Sequence, residues 1–405
     1  RAVVVAGSSQ PPREHALVHA LNQALGNVGK TVFYGAVQDA EDGASRDGIR
    51  ELAANISSTK SLVILGGNPA YDAPADIDFR SLLATKSLST IHLSDKRDET
   101  SELCAWHAPL AHELEAWGDQ VAAIGTTAIQ QPLIAPLYGG RSAIELLAVI
   151  AGEESTQGHD IVQETMRAVA PEGAAFDAFW RRALHGGVVK QPRPSVQEVN
   201  LVAVQQALNA APGRKPVAAD NLEVSFEPDP ALYDGRHANN LWGLELPRPM
   251  TKIVWDNAAI MSPGTRDALG LRNQQMIRLE KGERTVELPV WALPGHADNC
   301  ITLSLGWGRT ATGRYGNGKG FDVYPLRTSD EMDFVQGVTV VPLSSSYNVV
   351  QTQSHDSMEG RPIAIDATVD EYEKDPEFAS YRSVDPVSVP PLWKQQDLSL
   401  IHISE

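Results

Sequence analysis

Apolar residues in this chain recur with two different periods. Over the first 150 or so positions, short unbroken apolar runs alternate with runs of helical spacing. Residues 2–6 (AVVVA), closed by Gly7, read as a buried parallel strand. Residues 15–25 carry Ala16, Leu17, Leu21 and Leu25 at helical spacing, and Gly26 and Gly29 end that helix. Residues 30–34 predict a second strand, 49–56 a helix, 61–65 (SLVIL) a third strand, 81–84 a short helix and 89–93 (STIHL) a fourth strand. A strongly apolar helix over 142–151 closes the series. Such alternation predicts an α/β domain over 1–154, built on a doubly wound parallel sheet.

The pattern then loosens. Residues 155–250 hold helices around 176–184, with Trp180 on the face, and around 196–210, between Pro192, Pro194, Pro212, Pro216, Pro228 and Pro230. This reads as a helical, Pro-rich insertion or linker. From Lys252 the period becomes two. Residues 253–255, 276–280, 285–291 and 300–305 read as strands, interrupted by a helix over 262–269. Ser262 is its N-cap, Pro263 its first residue and Gly270 its stop. One short helix among strands predicts a small closed barrel over 251–350. Residues 351–405 are polar and Pro-rich and read as an extended connector.

Composition narrows the function. A length of 405 residues allows two or three domains, and the formal charge of −17 argues against nucleic-acid binding and against unaided docking on an anionic membrane. No apolar run of about 20 residues is present to span a bilayer. The chain starts on Arg1 and not Met, so its natural N-terminus is expected to lie upstream. Its two cysteines, Cys104 and Cys300, are too few and too far apart for a cluster or a structural zinc site, and are expected to be free buried thiols.

Several constellations bear on chemistry. The sequence Gly7-Ser8-Ser9-Gln10-Pro11-Pro12 is not a dinucleotide fingerprint, and Tyr34-Gly35 stands where a ribose-binding acid would be. His15 and His19, four apart, lack the Glu and third ligand of a zinc site, and His107 and His112 are five apart. No nucleophile elbow or P-loop occurs. Gly66-Gly67-Asn68-Pro69 ends a parallel strand, where open α/β sheets bind ligands, or else is a tight turn before Tyr71. Gly313, Gly316, Gly318 and Gly320 with Arg309, Arg314 and Lys319 suit either a phosphate-contacting loop or a hairpin loop.

Three further segments carry a resemblance: Glu99-Thr100, the stretch from Leu110 to Asp119 (LAHELEAWGD), and Gln131-Pro132 through Pro136 to Gly140-Arg141-Ser142. With Gly66 to Pro69 they resemble the molybdopterin oxidoreductase superfamily. There the G-x-N-P turn lies near one pterin dinucleotide. The stretch from Trp255-Asp256-Asn257 to about Leu326 is similar to that superfamily's double-psi barrel. The sequences around His15 to Gly29 and His355 to Pro362 (HDSMEGRP) look like the large iron–sulfur subunit of alternative complex III.

That resemblance implies a respiratory electron-transfer subunit passing electrons from quinol to a cytochrome or other periplasmic acceptor. It implies a peripheral position on the outer, periplasmic face of the membrane, beside a multihaem cytochrome c and a quinol-binding membrane subunit. It implies a molybdopterin-like half that is structural, with no catalytic or metal-ligating residue here and no cofactor in this stretch. Iron–sulfur clusters would belong to a ferredoxin-like domain following Trp393. The alternative is part of a genuine enzyme using molybdopterin guanine dinucleotide. Gly66, Gly67, Asn68, Pro69, Glu99, Thr100, Asn257, Arg314 and Lys319 would then contact the dinucleotide. The sequence departs from the family at both ends: the first part of the molybdopterin-like half has no counterpart, and residues 398–405 (LSLIHISE) resemble translated adapter sequence.

Overall fold

Where β1 (Ser61–Leu65), β2 (Ser89–Ser94) and β3 (Trp106–Pro109) pair, all three run parallel, so their carboxyl ends share one edge. These strands belong to a computed structural model that describes residues 2–34, 48–85, 88–122, 126–171, 173, 175–190, 199–210, 215–352 and 365–382. The Met358 to Pro362 motif, Gly35 and residues 398–405 lie outside the described residues. Before the sheet come α1 (Pro12–Ala24) and α2 (Gly48–Asn55). Between its strands stand α3 (Pro69–Asp72), α4 (Phe79–Leu83) and α5 (Glu99–Leu103). Ala70, Ile77, Phe79 and Leu83 form the core here, packed with Ile49, Leu52, Leu62 and Ile64.

Two predicted strands do not form. Val3 and Val5 are exposed, and no strand among the described residues pairs with 2–6. Instead the buried Asn22 amide takes both polar groups of Val4. Val4 N donates to Asn22 Oδ1 at 3.0 Å, and Asn22 Nδ2 donates to Val4 O at 2.8 Å. A side chain thus does locally what a neighbouring strand would do. Residues 30–34 form a turn with an isolated bridge between Val28 and Val32. The three described parallel strands run in simple order, β1-β2-β3, without the reversal that marks a doubly wound sheet.

The next layer is a small antiparallel sheet: β4 (Gly118–Val121), β5 (Thr127–Gln130) and β6 (Val188–Val189). Between β5 and β6 run α6 (Ala143–Ala151), α7 (Gly158–Val169) and α8 (Phe176–Gly186). Val162 and Met166 on α7 meet Phe179, Trp180 and Ala183 on α8 in one core. The region read as a linker therefore contributes packed helices. It also contributes α9 (Leu201–Ala210), β7 (Glu223–Glu227) and α10 (Leu241–Glu245).

Strand β7 lies inside a seven-stranded mixed sheet with β8 (Ala259–Met261), β9 (Gln275–Lys281), β10 (Arg284–Ala292), β11 (Cys300–Ser304), β12 (Phe334–Gln336) and β13 (Thr339–Ser346). Its order is β12-β7-β11-β8-β10-β9-β13. The two outermost strands, β12 and β13, are joined by only Gly337 and Val338. Two residues span at most about 10 Å, so the sheet must curl until its edges approach. Val224, Ile277, Leu279, Leu288, Val290, Ile301, Leu303 and Val335 fill the curl and are fully buried.

Helix α11 (Pro263–Ala268) forms as its sequence predicts, with Ser262 Oγ accepting from Thr265 N at 2.9 Å and Pro263 opening the helix. Residues 253–255 are not a strand; Ile253 makes one bridge to Gln351, and Trp255 sits at φ 60°. Residues 352–405 form a separate unit. Its described part is helical, not extended: α12 (Val369–Lys374), whose capping box joins Thr368 and Glu371, and α13 (Phe378–Arg382).

Candidate functional site

The turn after β1 carries two consecutive left-handed glycines, Gly66 at φ 68° and Gly67 at φ 69°, which any side chain would strain. The next residue, Asn68, is buried and faces Glu99 and Thr100 at the start of α5. Asn68 Oδ1 accepts from Thr100 N at 3.1 Å and from Thr100 Oγ at 2.8 Å. Asn68 Nδ2 donates to Glu99 Oε2 at 2.8 Å. Thr100 Oγ accepts in turn from Ala70 N at 3.0 Å.

Glu99 is the hub. Arg309 donates to it from Nε at 2.9 Å to each oxygen and from Nη2 at 2.6 Å to Oε2. Thr310 N and Ala311 N donate to Oε1 at 2.7 and 2.9 Å. The arginine also donates from Nη1 to Gly235 O at 2.6 Å and lies over the Tyr71 ring at 4.8 Å. Both members of the pair are almost wholly buried. Burial alone would raise the Glu99 pKa, but the Arg309 guanidinium and the backbone donors overcome it and hold it at about 2. Tyr71 completes the junction, donating its hydroxyl to Trp307 O at 2.6 Å. The parallel sheet is thereby bolted to the curled sheet across more than two hundred residues of sequence.

Beside this hub, at the carboxyl edge of β1 and β2, lies a pocket of about 270 Å³. Asp72, Asp95, Asp98 and Asp234 face it, as do Lys96, Arg236, Arg309 and His237. Each cation has an acidic partner: Lys96 pairs with Asp95 at 3.0 Å, Arg236 with Asp234 at 2.7 Å and Arg309 with Glu99. Asp72 is left over. Burial, and then the charge of Asp234, push its pKa up to about 6.

Behind the pocket the fully buried His92 fixes the Gly67 carbonyl. Its Nε2 lies 3.1 Å from Gly67 O and its Nδ1 2.8 Å from Ser101 Oγ. A carbonyl only accepts, so Nε2 carries a proton and donates it there. Sequence reasoning missed His92, Asp72, Lys96, Asp234 and Arg236. It noted Arg309 only as one cation of a glycine-rich loop. A buried-strand histidine two residues from the strand's end was the available signal for His92.

The remaining candidates lie elsewhere. Asn257 spends its amide on the curled sheet, donating to Ser304 O and Phe321 O at 3.3 and 3.0 Å and accepting from Phe321 N at 2.7 Å. Arg314 and Lys319 are exposed, with Arg314 lying over its neighbour Tyr315. Their loop is held by its own backbone and by Asn317 Oδ1, which accepts from Thr312 N at 2.6 Å. At Gly320, φ 67°, a Cβ would stand 2.6 Å from the Trp307 ring and 2.8 Å from Asn257 Oδ1. Close packing requires that glycine. Pro69 starts α3 and faces a second hollow of about 310 Å³, with Tyr71, Asp322 and Tyr324. His19 Nδ1 is 2.9 Å from Tyr34 OH. The two cysteines are half-buried and not joined in a disulfide.

A pterin dinucleotide brings a pyrophosphate, which needs unspent donors or cations. At this edge the cations are already paired and an unpaired carboxylate faces the space. The residues lining this pocket do not fit that group.

No family model matches the chain. In fold it is similar to acetylene hydratase from Pelobacter acetylenicus, with a TM-score of 0.54 at 14% identity, over 73% of this chain and 46% of that one. In sequence it is 24% identical over 286 residues to the menaquinone reductase, molybdopterin-binding-like subunit of Nitratidesulfovibrio vulgaris (strain Hildenborough). That match covers 66% of this chain and 38% of the relative, so the chain spans well under half of the relative's length. The structural likeness shows the fold alone, and the sequence match supports the superfamily resemblance and nothing narrower. No helix among the described residues is long and apolar enough to cross a membrane.

Proposed function

We propose that this chain is the molybdopterin-oxidoreductase-like half of a respiratory electron-transfer subunit, in which this half is structural and not catalytic. The carrying observation is the closed hydrogen-bond network of Asn68, Glu99, Thr100 and Arg309. Three of the residues that the resemblance places beside a pterin dinucleotide, Asn68, Glu99 and Thr100, are spent on joining two sheets. On this reading the chain is a rigid platform. It belongs with a multihaem cytochrome c and a quinol-binding membrane subunit, as in alternative complex III, on the periplasmic face of the membrane. Iron–sulfur clusters sit in a ferredoxin-like domain outside this sequence. The relative's description as a subunit of a menaquinone reductase supports membership of a multi-subunit redox complex. The curled sheet, with parallel pairs β7/β11 and β8/β10 flanking the antiparallel β11/β8 pair, supports a double-psi-type barrel.

The test is elemental and pterin analysis of the intact subunit purified within its complex. Molybdenum and tungsten are measured by mass spectrometry, and pterin by fluorescence after oxidative extraction. The expected result is neither metal nor pterin above a few per cent of the protein. A stoichiometric pterin or metal would overturn the structural reading and establish the dinucleotide-dependent alternative.

A further inference from the structure

Helix α6 contradicts its surroundings. Its sequence, AIELLAVIA, has one polar residue in nine, and a helix apolar on every side is normally buried. Its neighbour α7 is amphipathic and hides Val162 and Met166 completely. In α6 only Ala148 is buried, while Ile144, one turn earlier, packs against the α7–α8 core. At about 100° per residue, Ala143, Leu146, Leu147, Val149 and Ile150 span an arc of about 160° on the other side. Leu147, Val149, Ile150 and Ala151 are exposed.

The loop leading into α6 continues this surface. Leu133 is 76%, Leu137 68% and Tyr138 86% exposed. The loop is not loose. Leu133 N donates to Leu114 O at 2.8 Å, Leu137 N to Glu115 Oε1 at 3.2 Å, and Arg141 N to Pro109 O at 3.0 Å. Gly140 abuts the Ala111 backbone so closely that a Cβ would stand 2.8 Å from Ala111 N. A rigid loop that holds large apolar side chains in water has the character of a preformed contact surface.

Charge selects the occupant. Between positions 107 and 166 the sequence has eight carboxylates (Glu113, Glu115, Asp119, Glu145, Glu153, Glu154, Asp160 and Glu164) and one cation, Arg141. Glu153 and Glu154 stand just past the C-terminus of α6, where the helix dipole already favours positive charge. Anionic lipid would be repelled, and a second copy would bring the same acids. We propose that the surface formed by the 133–138 loop and the outer face of α6 docks another protein subunit. That subunit's contact is apolar at its centre and rimmed by Lys and Arg. This rests on the reading of the chain as one subunit of a complex; molybdenum content bears on that reading and not on this one.

The experiment uses the full chain, tagged and expressed in its source cells. A photo-crosslinking phenylalanine is placed at Tyr138 or Leu147, and at exposed Thr285 on β10 as control. The expected result is one crosslinked subunit from the first two positions and none from the third. Its joined peptide should hold apolar residues flanked by Lys or Arg. Leu147→Asp/Ile150→Asp should lower co-purification of that subunit at least tenfold. Glu153→Lys/Glu154→Lys, which leaves the apolar face intact, should lower it severalfold with unchanged circular dichroism. Crosslinks only to another copy of this chain, or none, overturn the proposal. So does wild-type co-purification of both variants. Retention on phosphatidylglycerol vesicles that Glu153→Lys/Glu154→Lys strengthens would instead assign the surface to lipid.

Discussion

Removing the guanidinium of Arg309 is the sharpest test of how the two sheets are joined. In Arg309→Met the aliphatic stem is kept and Glu99 is left charged, buried and short of three hydrogen bonds. Breaking one partner of a buried pair typically costs about 3–5 kcal/mol, because the other charge stays out of water. For a unit this large each kcal/mol moves Tm by about 2 °C, so a loss of about 6–10 °C at pH 7 is expected by differential scanning calorimetry. Glu99→Gln should cost a similar amount, since Arg309 then lacks its anion. The double variant should lose clearly less than the sum, a coupling of about 2–3 kcal/mol. A Tm within 2 °C of the parent for Arg309→Met, or strict additivity in the double variant, would refute the clamp, at the precision such effects carry (~0.5 kcal/mol).

Three other outcomes follow from the same geometry. Stability should pass through a maximum with pH. Asp72 and Asp322 are raised to about 6, so their folded forms hold protons more tightly and stability falls as pH rises from about 4 to 6. Glu99 is lowered to about 2, so its contribution is complete above 4.5 and is lost as pH falls towards 2. Asp72→Asn and Asp322→Asn should each flatten the branch between 4 and 6 in a Tm–pH profile; an unchanged profile in both would count against these assignments. Gly308→Ala would force a Cβ into the Asp322 backbone nitrogen in a turn at φ 69°, and soluble yield or Tm should drop severely; near-parent stability would show that the turn can relax. Ser142→Ala removes both the hydroxyl that accepts from Glu145 N and half of a capping box, costing about 1 kcal/mol by urea denaturation.

The expectations that the structure bears out have local causes. Ser262-Pro263 at the start of α11, the SLVIL and STIHL strands and the glycine turn at Gly66-Gly67 all depend on residues within a few positions of one another. The failures share a physical reason. The AVVVA run at 2–6 encodes extended, apolar backbone, but a strand exists only if another strand pairs with it, and Asn22 supplies a substitute. Strand β7 stands in a Pro-rich stretch that resembles a linker, and its pairing with β11 and β12, about 75 and 110 residues later, could not be read from its own pattern.

For the candidate site the division is sharper. The sequence by itself marked the Gly66-Gly67-Asn68 turn, because open α/β sheets bind ligands at the ends of parallel strands; Glu99 and Thr100 joined it only through the superfamily resemblance. It could not say which partners these residues take. Donors in a ligand and donors in the protein satisfy a carboxylate equally well, and Arg309 is more than two hundred positions away. Only the tertiary structure, by curling one sheet against the edge of another, brought that arginine to Glu99 and made their ion pair a bolt between sheets.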